Sequence, residues 1–438
     1  MCGWSKLKIT LVGLGKIGLP LAVQYANKGH RVLGADVNKT TVDLVNAGQE
    51  PFPGENYLGT SLKDVVKSGA LTATTSTVEA VSESDAVVVA VPLFVDVNAQ
   101  PAFSAMDAAS REIGRGLKSG TLISYETTLP VGTTRNRLVP ILEEESGLTA
   151  GKDFFVVFSP ERVLTGRVFA DLKKYPKLVG GIDSASEAKG VDFYEAVLDF
   201  DQRTDLPTPN GVWPMGSAEA AELAKLAETT YRDVNIALAN QFAVYAEKIG
   251  VDIYKVIQAC NSQHYSHIHQ PGVAVGGHCI PVYPHLYLHG DPDATLVAVS
   301  REVNKFMPKH AIDLLEVGLG ELQEKRVVIL GLSYRGGVKE HAFSGTWDLI
   351  SEIQARGGVP LVHDPMYGPD ELRQLGLTPF DLNDPCDGLI MQANHIEYRD
   401  LVSENFPGAL FMVDGRNCAN QNLREAFPYS VIGVGQST

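Results

Sequence analysis

Short apolar runs alternate with longer amphipathic stretches along most of this chain. The first two runs, Leu7 to Val12 and Arg31 to Ala35, are separated by a helical pattern over Leu19 to Asn27. Three more runs follow, at Asp85 to Val91, Thr121 to Tyr125 and Phe154 to Phe158. Strands that are apolar on both faces and joined by helices predict a parallel sheet that is covered on both sides.

The longest helical pattern lies between Ser217 and Ile249, contains no Gly or Pro, and is followed by Gly250. Alanine and leucine surround most of its circumference, so we expect it to be buried on several sides. Lys225 and Thr229 fall on one face, with Arg232 one turn further on. At 1.5 Å per residue it would span about 50 Å, which is typical of a helix that bridges domains and pairs with its copy in a homodimer.

The alternation starts again at Lys325, with runs at Val327 to Leu330, Val359 to His363, Gly388 to Gln392 and Leu410 to Val413. We therefore predict an α/β fold with two Rossmann-like doubly wound domains, joined by the long central helix and a helical middle domain. The expected bounds are residues 1–205, 206–318 and 319–438.

The first strand is followed by Gly13-Leu-Gly15-Lys16-Ile17-Gly18, and the second strand ends in Asp36. Strand, three glycines, helix, strand and acid together form the full context of a dinucleotide-binding fingerprint. An acid at this place accepts bonds from the ribose hydroxyls and repels a 2′-phosphate, which favours NAD over NADP. The alternative is a Gly-rich turn in some other α/β unit.

Two motifs follow later strands, at the edge where a doubly wound sheet binds its ligands. Tyr125-Glu-Thr-Thr128-Leu-Pro-Val-Gly132 comes after one strand, and Ser159-Pro-Glu161-Arg162-Val163-Leu164 after the next. Taken singly, either could be a turn that merely caps its strand.

A single thiol, Cys279, sits in the run Pro271 to Pro284, directly after Gly276-Gly277-His and shortly before Pro281. Glycines allow a backbone to approach a ligand closely, and a cysteine presented in this way is a candidate nucleophile. The alternative is a buried structural cysteine beside a Gly-rich bend.

The second α/β unit has its own Gly-rich loop, Gly331-Leu-Ser333-Tyr334-Arg335-Gly-Gly337, in which Ser333 replaces the second fingerprint glycine. A second dinucleotide is therefore not implied, but the loop, with Arg335 and Lys339, could hold a phosphate-bearing ligand. The alternative is that this domain only packs.

Composition narrows the class of partner. The chain has 438 residues and a net charge of −15, which argues against nucleic acid or an anionic membrane. The cysteines of the chain are Cys2, Cys260, Cys279, Cys386 and Cys418. No two of them form a Cys-x-x-Cys pair, so neither a disulfide framework nor a zinc site is suggested. The clustered His264, His267 and His269 lack an accompanying acid, and we expect a polar loop rather than a metal site. Without a signal segment or a long apolar run, we expect a cytoplasmic protein.

These elements, in this order, resemble the nucleotide-sugar dehydrogenase family, most specifically in the Cys279 loop and the Lys225 helix. The resemblance implies an NAD-binding domain, a central dimerisation helix, a domain that grips UDP, and oxidation of a sugar C6 alcohol to a carboxylate by two NAD. It implies cofactor contacts from Gly13, Gly15, Lys16, Ile17, Gly18, Asp36, Pro92 and Thr128. It implies substrate contacts from Glu161, Arg162, Val163, Leu164, Lys225, Arg232, Gly276, Gly277, Tyr334 and Arg335.

Oxidising one carbon twice passes through an aldehyde, which a thiolate can hold as a thiohemiacetal and then a thioester. Cys279 fits this nucleophile, and Lys225 could favour its thiolate form and stabilise oxyanions. By resemblance Glu161 is the general base for thioester hydrolysis and Thr128 orients the reactive water. Arg301 is a plausible phosphate contact.

The chain departs from the family at several positions. Thr229 stands for the usual Asn and Tyr283 for the usual Asp, although their hydroxyls could still hold the water or the oxyanion. An expected Arg is replaced around Tyr265 and another at Ala342, and a Val-Pro-Thr-Pro turn reads Val91-Pro-Leu-Phe94.

The motifs Ser-Pro-Glu-Arg-Val-Leu and Gly-Gly-His-Cys-Ile-Pro look more like the members that act on N-acetylhexosamines. Three alternatives stay open: a UDP-glucose 6-dehydrogenase, a two-electron dehydrogenase of the 6-phosphogluconate type in which Lys225 is the acid/base and Cys279 idles, and a non-catalytic nucleotide-sugar sensor.

Overall fold

A computed structural model describes residues 6–96, 98–164 and 166–435 of the chain. By contacts the chain forms two compact units. The first unit holds the residues up to Glu228 together with His285–Gly290, and the second holds Thr229–Pro284 together with the residues from Asp291 onward. The three predicted domain ranges remain a prediction, and Cys2 lies outside the described residues.

The first unit is built on an eight-stranded sheet of order β10-β9-β8-β7-β4-β1-β2-β3. Its strands, with the small antiparallel hairpin β5–β6, are β1 Lys8–Val12, β2 Arg31–Ala35, β3 Leu71–Thr74, β4 Ala86–Val89, β5 Phe94–Val95, β6 Pro101–Ala102, β7 Leu122–Tyr125, β8 Phe155–Phe158, β9 Lys177–Gly181 and β10 Val212–Pro214. All five strands predicted in this half are confirmed to within two residues at each end.

Eight helices of the first unit alternate with these strands: α1 Gly18–Asn27, α2 Lys39–Asn46, α3 Leu58–Lys67, α4 Thr77–Ser82, α5 Ser104–Gly116, α6 Val139–Ser146, α7 Val168–Lys174 and α8 Ser184–Val197. A π-helical turn, Thr134–Leu138, leads into α6. The core joins apolar residues of α1, α3 and α8 to the sheet, among them Leu21, Leu62 and Phe193.

The five predicted strands pair in parallel, as expected, and the one antiparallel pair of the sheet involves a strand that the sequence did not predict. β9 runs antiparallel to β8, with Val157 opposite Gly181 and Phe158 opposite Gly180. β10 then pairs parallel with β9. The connection from β8 to β9 contains the helix α7. Because β9 runs antiparallel to β8, its first residue lies at the carboxyl edge of β8.

The second unit contains a five-stranded parallel sheet of order β12-β11-β13-β14-β15. Its strands are β11 Arg326–Leu330, β12 Val359–His363, β13 Gly388–Met391, β14 Phe411–Asp414 and β15 Tyr429–Val431, with helices α13 Gly345–Ala355, α14 Pro369–Gln374 and α15 Gln421–Ala426. The predicted second doubly wound unit is confirmed.

Four helices lie between the sheets along the chain: α9 Ala218–Lys248, α10 Ile253–Cys260, α11 Tyr283–Gly290 and α12 Thr295–Leu319. α9 is the predicted long helix, one residue shorter at each end, and the boundary between the two units falls inside it. α12, which the sequence did not predict, carries Pro308 in its interior and packs Met307, Ile312 and Leu315 into the core of the second unit. None of the described helices is both long and apolar enough to cross a membrane.

Candidate active site

The loop between β1 and α1 has two glycines with opposite surroundings. A Cβ added to Gly18 would lie 1.9 Å from the carbonyl oxygen of Gly13, so close packing of helix on strand requires glycine there. A Cβ added to Gly15 would meet no atom within 4 Å. Gly13 itself has φ +95, and its N–H donates to Ala35 O at 2.8 Å. The open space over Gly15 is the cradle that a dinucleotide pyrophosphate needs.

Asp36 closes this loop from the end of β2. Its Oδ2 accepts a hydrogen bond from Leu14 N at 2.8 Å, and its Oδ1 accepts one from Asn38 N at 2.8 Å. The carboxylate is thus fixed beside the Gly-rich turn while half-buried, as a ribose-binding acid requires. Lys16 and Ile17 lie in the turn before α1, and Pro92 is exposed after β4. These residues fit an adenine dinucleotide.

The motif after β8 places Glu161 beside a buried lysine that the sequence did not single out. Lys177 Nζ, at the start of β9, contacts Glu161 Oε1 and lies 3.0 Å from Glu126 Oε2. The exposed fractions of the three side chains are 9% for Glu161, 5% for Lys177 and 1% for Glu126. The predicted base is therefore one member of a buried cluster of three charged groups.

Two tyrosines complete that cluster. Tyr194 OH donates to Glu126 Oε1, and Tyr25 OH donates to the same oxygen at 3.5 Å. Burial, partly offset by Lys177, raises the pKa of Glu126 to about 8. Burial alone would lower the pKa of Lys177, but the two carboxylates outweigh it and leave that pKa raised.

The other residues of these two motifs hold the surrounding loops. Arg162 Nε donates to Glu228 Oε2 at 2.8 Å, and Leu164 N donates to Asp171 Oδ2 at 3.1 Å. Val163 packs against the core of the first unit, whereas the Leu164 side chain is exposed. Thr128 is buried after β7.

In the first half of α9, Glu222 is buried and clamps the turn that follows the Thr128 motif. Its two carboxylate oxygens accept from Gly132 N at 2.6 Å and from Thr134 N at 2.9 Å. Burial raises the pKa of Glu222 to about 7. Lys225, one turn on, is also buried, as is Thr229, whereas Arg232 is exposed. The predicted lysine is thus not a solvated surface lysine.

In the second unit the thiol loop, Pro271 to Pro284, packs against the second Gly-rich loop. A Cβ on Gly276 would lie 2.6 Å from Tyr334 Cβ, and one on Gly277 would lie 3.1 Å from the Tyr334 ring. Cys279 is exposed, and its carbonyl oxygen accepts from Tyr283 N at 2.9 Å, at the start of α11. The two glycines are therefore needed for the close approach of Tyr334, and the thiol projects from the resulting bend rather than into a core.

The second Gly-rich loop is closed by an aspartate, as the first one is. Asp364 Oδ2 accepts from Leu332 N and from Ser333 N, both at 2.8 Å. Arg335 Nε donates to Tyr334 OH at 3.2 Å. Lys339, expected to add positive charge for a ligand, is instead paired with Glu371.

A cavity of about 300 Å³ lies beside the thiol loop within the second unit. Arg301 and Lys305 of α12 line it, together with Ser344 and Trp347 at the start of α13. Arg301 is held by Asp233 Oδ1 at 2.5 Å, and Asn304 Nδ2 donates to the same oxygen at 2.7 Å. Asp233 and Asn304 were not identified from sequence, because a lone acid or amide on a helix carries no local signal of burial.

The histidine-rich loop holds its shape through the backbone. His269 N donates to Asn235 Oδ1 at 2.9 Å, and His267 O accepts from Asn235 Nδ2 at 2.8 Å. The ring of His264 lies 4.3 Å from that of Tyr265, which is exposed. Within the described ranges, no group of three or more His, Cys, Asp or Glu side chains could hold a metal ion.

Comparison with known proteins extends this description. Models of the UDP-glucose/GDP-mannose dehydrogenase family match residues 7–198 with their NAD binding domain and residues 219–317 with their central domain. A UDP-N-acetyl-D-mannosamine dehydrogenase of Pyrococcus horikoshii is 31% identical over 94% of this chain and 96% of its own length. A solved structure of the UDP-D-ManNAc dehydrogenase of Pyrococcus horikoshii superposes with a TM-score of 0.88, at 29% identity over 98% of this chain and 100% of that one. A UDP-glucose dehydrogenase of Pyrobaculum islandicum gives 0.87, at 28% identity over 100% and 99%.

Proposed function

The chain belongs to the UDP-glucose/GDP-mannose dehydrogenase family and is an NAD-dependent nucleotide-sugar dehydrogenase, and on that premise we propose that it oxidises the C6 alcohol of a UDP-N-acetylhexosamine to the uronic acid. The observation that carries this proposal is the exposed Cys279 thiol at its Gly276-Gly277 bend. A two-electron dehydrogenase has no chemical need for such a thiol. The relative from Pyrococcus horikoshii named above, which aligns with nearly the whole chain, supports the choice of sugar class.

The reaction removes two hydrides from C6, and NAD, when bound, supplies the acceptor for both. The alcohol becomes an aldehyde, to which the Cys279 thiolate adds to form a C–S bond. The thiohemiacetal loses the second hydride and becomes a thioester. Water then attacks the carbonyl carbon, the C–S bond breaks, the thiolate leaves, and the proton of the water passes to a base. The nucleotide sugar ends as a carboxylate after losing four electrons.

Each unit contributes its own set of groups to this proposal. In the first unit, Glu161 is the base for the hydrolytic water, Thr128 orients that water, and Lys225 stabilises the oxyanion. In the second unit, Cys279 is the nucleophile, and the hydroxyls of Thr229 and Tyr283 take the places of the family's amide and carboxylate.

We propose two sets of contacts for the nucleotide end of the substrate. In the second unit these are Tyr334, Arg335, the backbone of Gly276 and Gly277, Arg232, and the cavity that Arg301 and Lys305 line, because a diphosphate needs cations on a chain whose net charge is −15. In the first unit they are Arg162, Val163 and Leu164. Gly13, Gly15, Lys16, Ile17, Gly18, Asp36 and Pro92 are assigned to the cofactor.

We also propose a homodimer, because α9 keeps a stripe of exposed apolar side chains within the second unit. The stripe consists of Tyr231, Leu238, Phe242, Tyr245 and Ile249, which recur at spacings of three, four and seven. An apolar stripe of this kind marks an interface rather than a wet surface. Sedimentation at micromolar concentration should give the mass of two chains, and a monomer would contradict the assignment.

We place the protein in the cytoplasm. The four described cysteines, Cys260, Cys279, Cys386 and Cys418, are all free thiols, and free thiols are typical of a reducing compartment.

Product stoichiometry tests the proposed reaction. A panel of UDP- and GDP-sugars, scored by NADH absorbance, identifies the substrate, and UDP-N-acetyl-D-mannosamine should be among the best. A limiting amount of that sugar should then yield two NADH and one uronate. One NADH with an aldehyde that hydrazine can trap would contradict the four-electron reaction. Turnover on UDP-glucose alone would correct the sugar class, and binding without NADH would favour a sensor.

The variant Cys279→Ser separates the thioester route from a two-electron route. A serine lacks the nucleophilicity of a thiolate, so we expect the uronate to be lost. If Cys279 has no catalytic role, as in an enzyme of the 6-phosphogluconate type, Cys279→Ser would leave turnover intact.

A further inference from the structure

Lys177 reaches Glu161 because of the one antiparallel pair in the first sheet. Phe158 of β8 lies opposite Gly180 of β9. Counting three residues forward from Phe158 and three residues back from Gly180, the same register sets Glu161 opposite Lys177. In a wholly parallel sheet the first residue of β9 would lie at the other edge, far from the motif after β8. The reversal of β9 thus delivers a lysine to the place where ligands bind in such folds.

The hydrogen bonds around this lysine leave one oxygen of Glu161 available. The Lys177 ammonium contacts Glu126 Oε2 and Glu161 Oε1, and it lies 4.7 Å from the centre of the Tyr194 ring. Glu126 Oε1 accepts from Tyr194 and Tyr25. None of these hydrogen bonds reaches Glu161 Oε2. That oxygen is the one that can take a proton from water.

The charges in the cluster make the lysine necessary. One ammonium faces two carboxyl groups, all three largely withdrawn from water. The raised pKa of Glu126 keeps that carboxyl protonated through neutral pH, so Lys177 is the cation that balances the buried carboxylate of Glu161. Burial raises the pKa values of Tyr25 and Tyr194, so both remain neutral donors.

We propose that Lys177 is a positioning residue for the general base: with Glu126 it holds the Glu161 carboxylate ionised and fixes its free oxygen toward the hydrolytic water. This inference rests on the proposed function, because it concerns the hydrolysis of the thioester. It assigns Lys177 no contact with the substrate. The hydride-transfer steps are therefore expected to be nearly independent of it.

The groups that face Glu161 fix the sign of the expected pH effects. They are Glu126 after β7, Lys177 of β9, and more distantly Tyr194 of α8 and Tyr25 of α1, while the neighbouring Arg162 is paired with Glu228. Removing the cation should make Glu161 take up a proton at higher pH. Glu126→Gln exchanges one neutral group for another below about pH 8, so it should leave the protonation of Glu161 nearly unchanged. A general loss of structure would not separate the two variants in this way.

The experiment compares four variants with the wild type, using NAD and UDP-N-acetyl-D-mannosamine. Lys177→Met removes the charge while keeping the length, and Lys177→Arg restores a cation. Glu126→Gln replaces the neighbouring carboxyl group by an amide. Lys173→Met makes the same change at an exposed lysine of α7 and serves as the matched control. Rapid-quench NADH formation reports the hydride transfers, and intact-protein mass reports the acyl adduct on Cys279 across pH 5.5–9.

In Lys177→Met we expect the first NADH to form within about threefold of the wild-type rate. The acyl adduct should accumulate, with hydrolysis about 10- to 100-fold slower, within the range that a general base contributes. The acid limb of the hydrolysis rate should move up by about one pH unit or more. Lys177→Arg should return both values close to wild type. Glu126→Gln should leave the acid limb in place, and Lys173→Met should change neither value.

Two results overturn the inference while leaving the proposed function intact. One is a Lys177→Met enzyme whose adduct hydrolyses at the wild-type rate with an unchanged pH profile. The other is a variant that slows both hydride transfers equally without accumulating an adduct. If Lys177→Met does not fold, an unshifted limb in Lys177→Gln overturns it instead. A wild-type enzyme that yields one NADH, with no adduct in Glu161→Gln, refutes the proposed function and this inference with it.

Discussion

A single methyl group added at Gly15 tests the cofactor site in a way that separates binding from folding. Gly15 is exposed, and an added Cβ would meet no atom within 4 Å. Gly15→Ala therefore costs no packing, and the reduced freedom of the unfolded chain should leave the free energy of unfolding unchanged or higher by up to about 1 kcal/mol. The same methyl group would occupy the space proposed for the pyrophosphate. We expect NAD affinity to fall at least tenfold, or by about 1.4 kcal/mol.

Gly18→Ala should behave in the opposite way. Its Cβ would lie 1.9 Å from Gly13 O and 2.6 Å from Leu11 Cδ2, and because the first of these atoms is backbone, the loop itself must shift. Overpacking of this kind costs about 1–3 kcal/mol of stability. Gly211→Ala is the matched control, since an added Cβ there also meets nothing within 4 Å. It should change neither stability nor NAD binding.

Calorimetric titration with NAD and thermal unfolding without it measure the two quantities separately. Wild-type NAD affinity in Gly15→Ala would refute the reasoning, because the open face of Gly15 would then not be the pyrophosphate cradle. A large fall in the Tm of Gly15→Ala would contradict the open geometry itself.

Three further changes test other parts of the molecule. Asp36 should give NAD at least about a tenfold preference over NADP, or 1.4 kcal/mol, and Asp36→Asn should lower that ratio in steady-state assays; equal turnover of the wild type with NADP would contradict the assignment. Burial raises the pKa of Glu222 from 4.5 to about 7. The contribution of Glu222 to stability is therefore full below pH 4.5 and is lost as the pH rises to about 7. Glu222→Gln should flatten the plot of Tm against pH over that range. Arg301→Met leaves Asp233 buried without its cation and should cost about 3–5 kcal/mol of unfolding free energy, whereas Lys305→Met on the exposed side of α12 should cost under about 1 kcal/mol.

Sequence patterns predicted the elements whose signals are local. The strands before Gly13 and Gly331 are apolar runs closed by glycines, and α9 is a long stretch free of breakers, so their ends lie within two residues of the prediction. α12 was missed because Pro308 stands inside it and Gly318 near its end, and both residues normally interrupt a helical pattern. Pro308 is tolerated because α12 is buried against a sheet, which supplies stability that propensity does not.

The residues of the candidate site also fall into two classes, those with a local sequence signal and those without one. Cys279, Glu161 and Asp36 stand in motifs that glycine, proline and strand ends mark out along the chain. Lys177 stands in no such motif, and Glu126 was not singled out within the motif from Tyr125 to Gly132, because a charged residue at the end of an apolar run normally marks the point where a strand meets water. Their burial depends on the direction of β9, and strand direction is set by the long-range pairing of β8 with β9 rather than by any local pattern.

The substituted positions and the intact ones are distributed unequally, and this favours a slower version of the same reaction over a different one. Thr229 and Tyr283, which replace the family's Asn and Asp, belong to the second unit with the thiol. The base cluster of Glu161, Lys177 and Glu126 belongs to the first unit, and in it Lys177 contacts both carboxyl groups. Loss of one oxyanion donor costs about 100- to 1000-fold in rate without abolishing a pathway. A chain that had abandoned the second oxidation would have no use for a buried base cluster, whose charges cost free energy to desolvate. Its presence in a chain that also exposes the Cys279 thiol argues that the thioester is still formed and still hydrolysed.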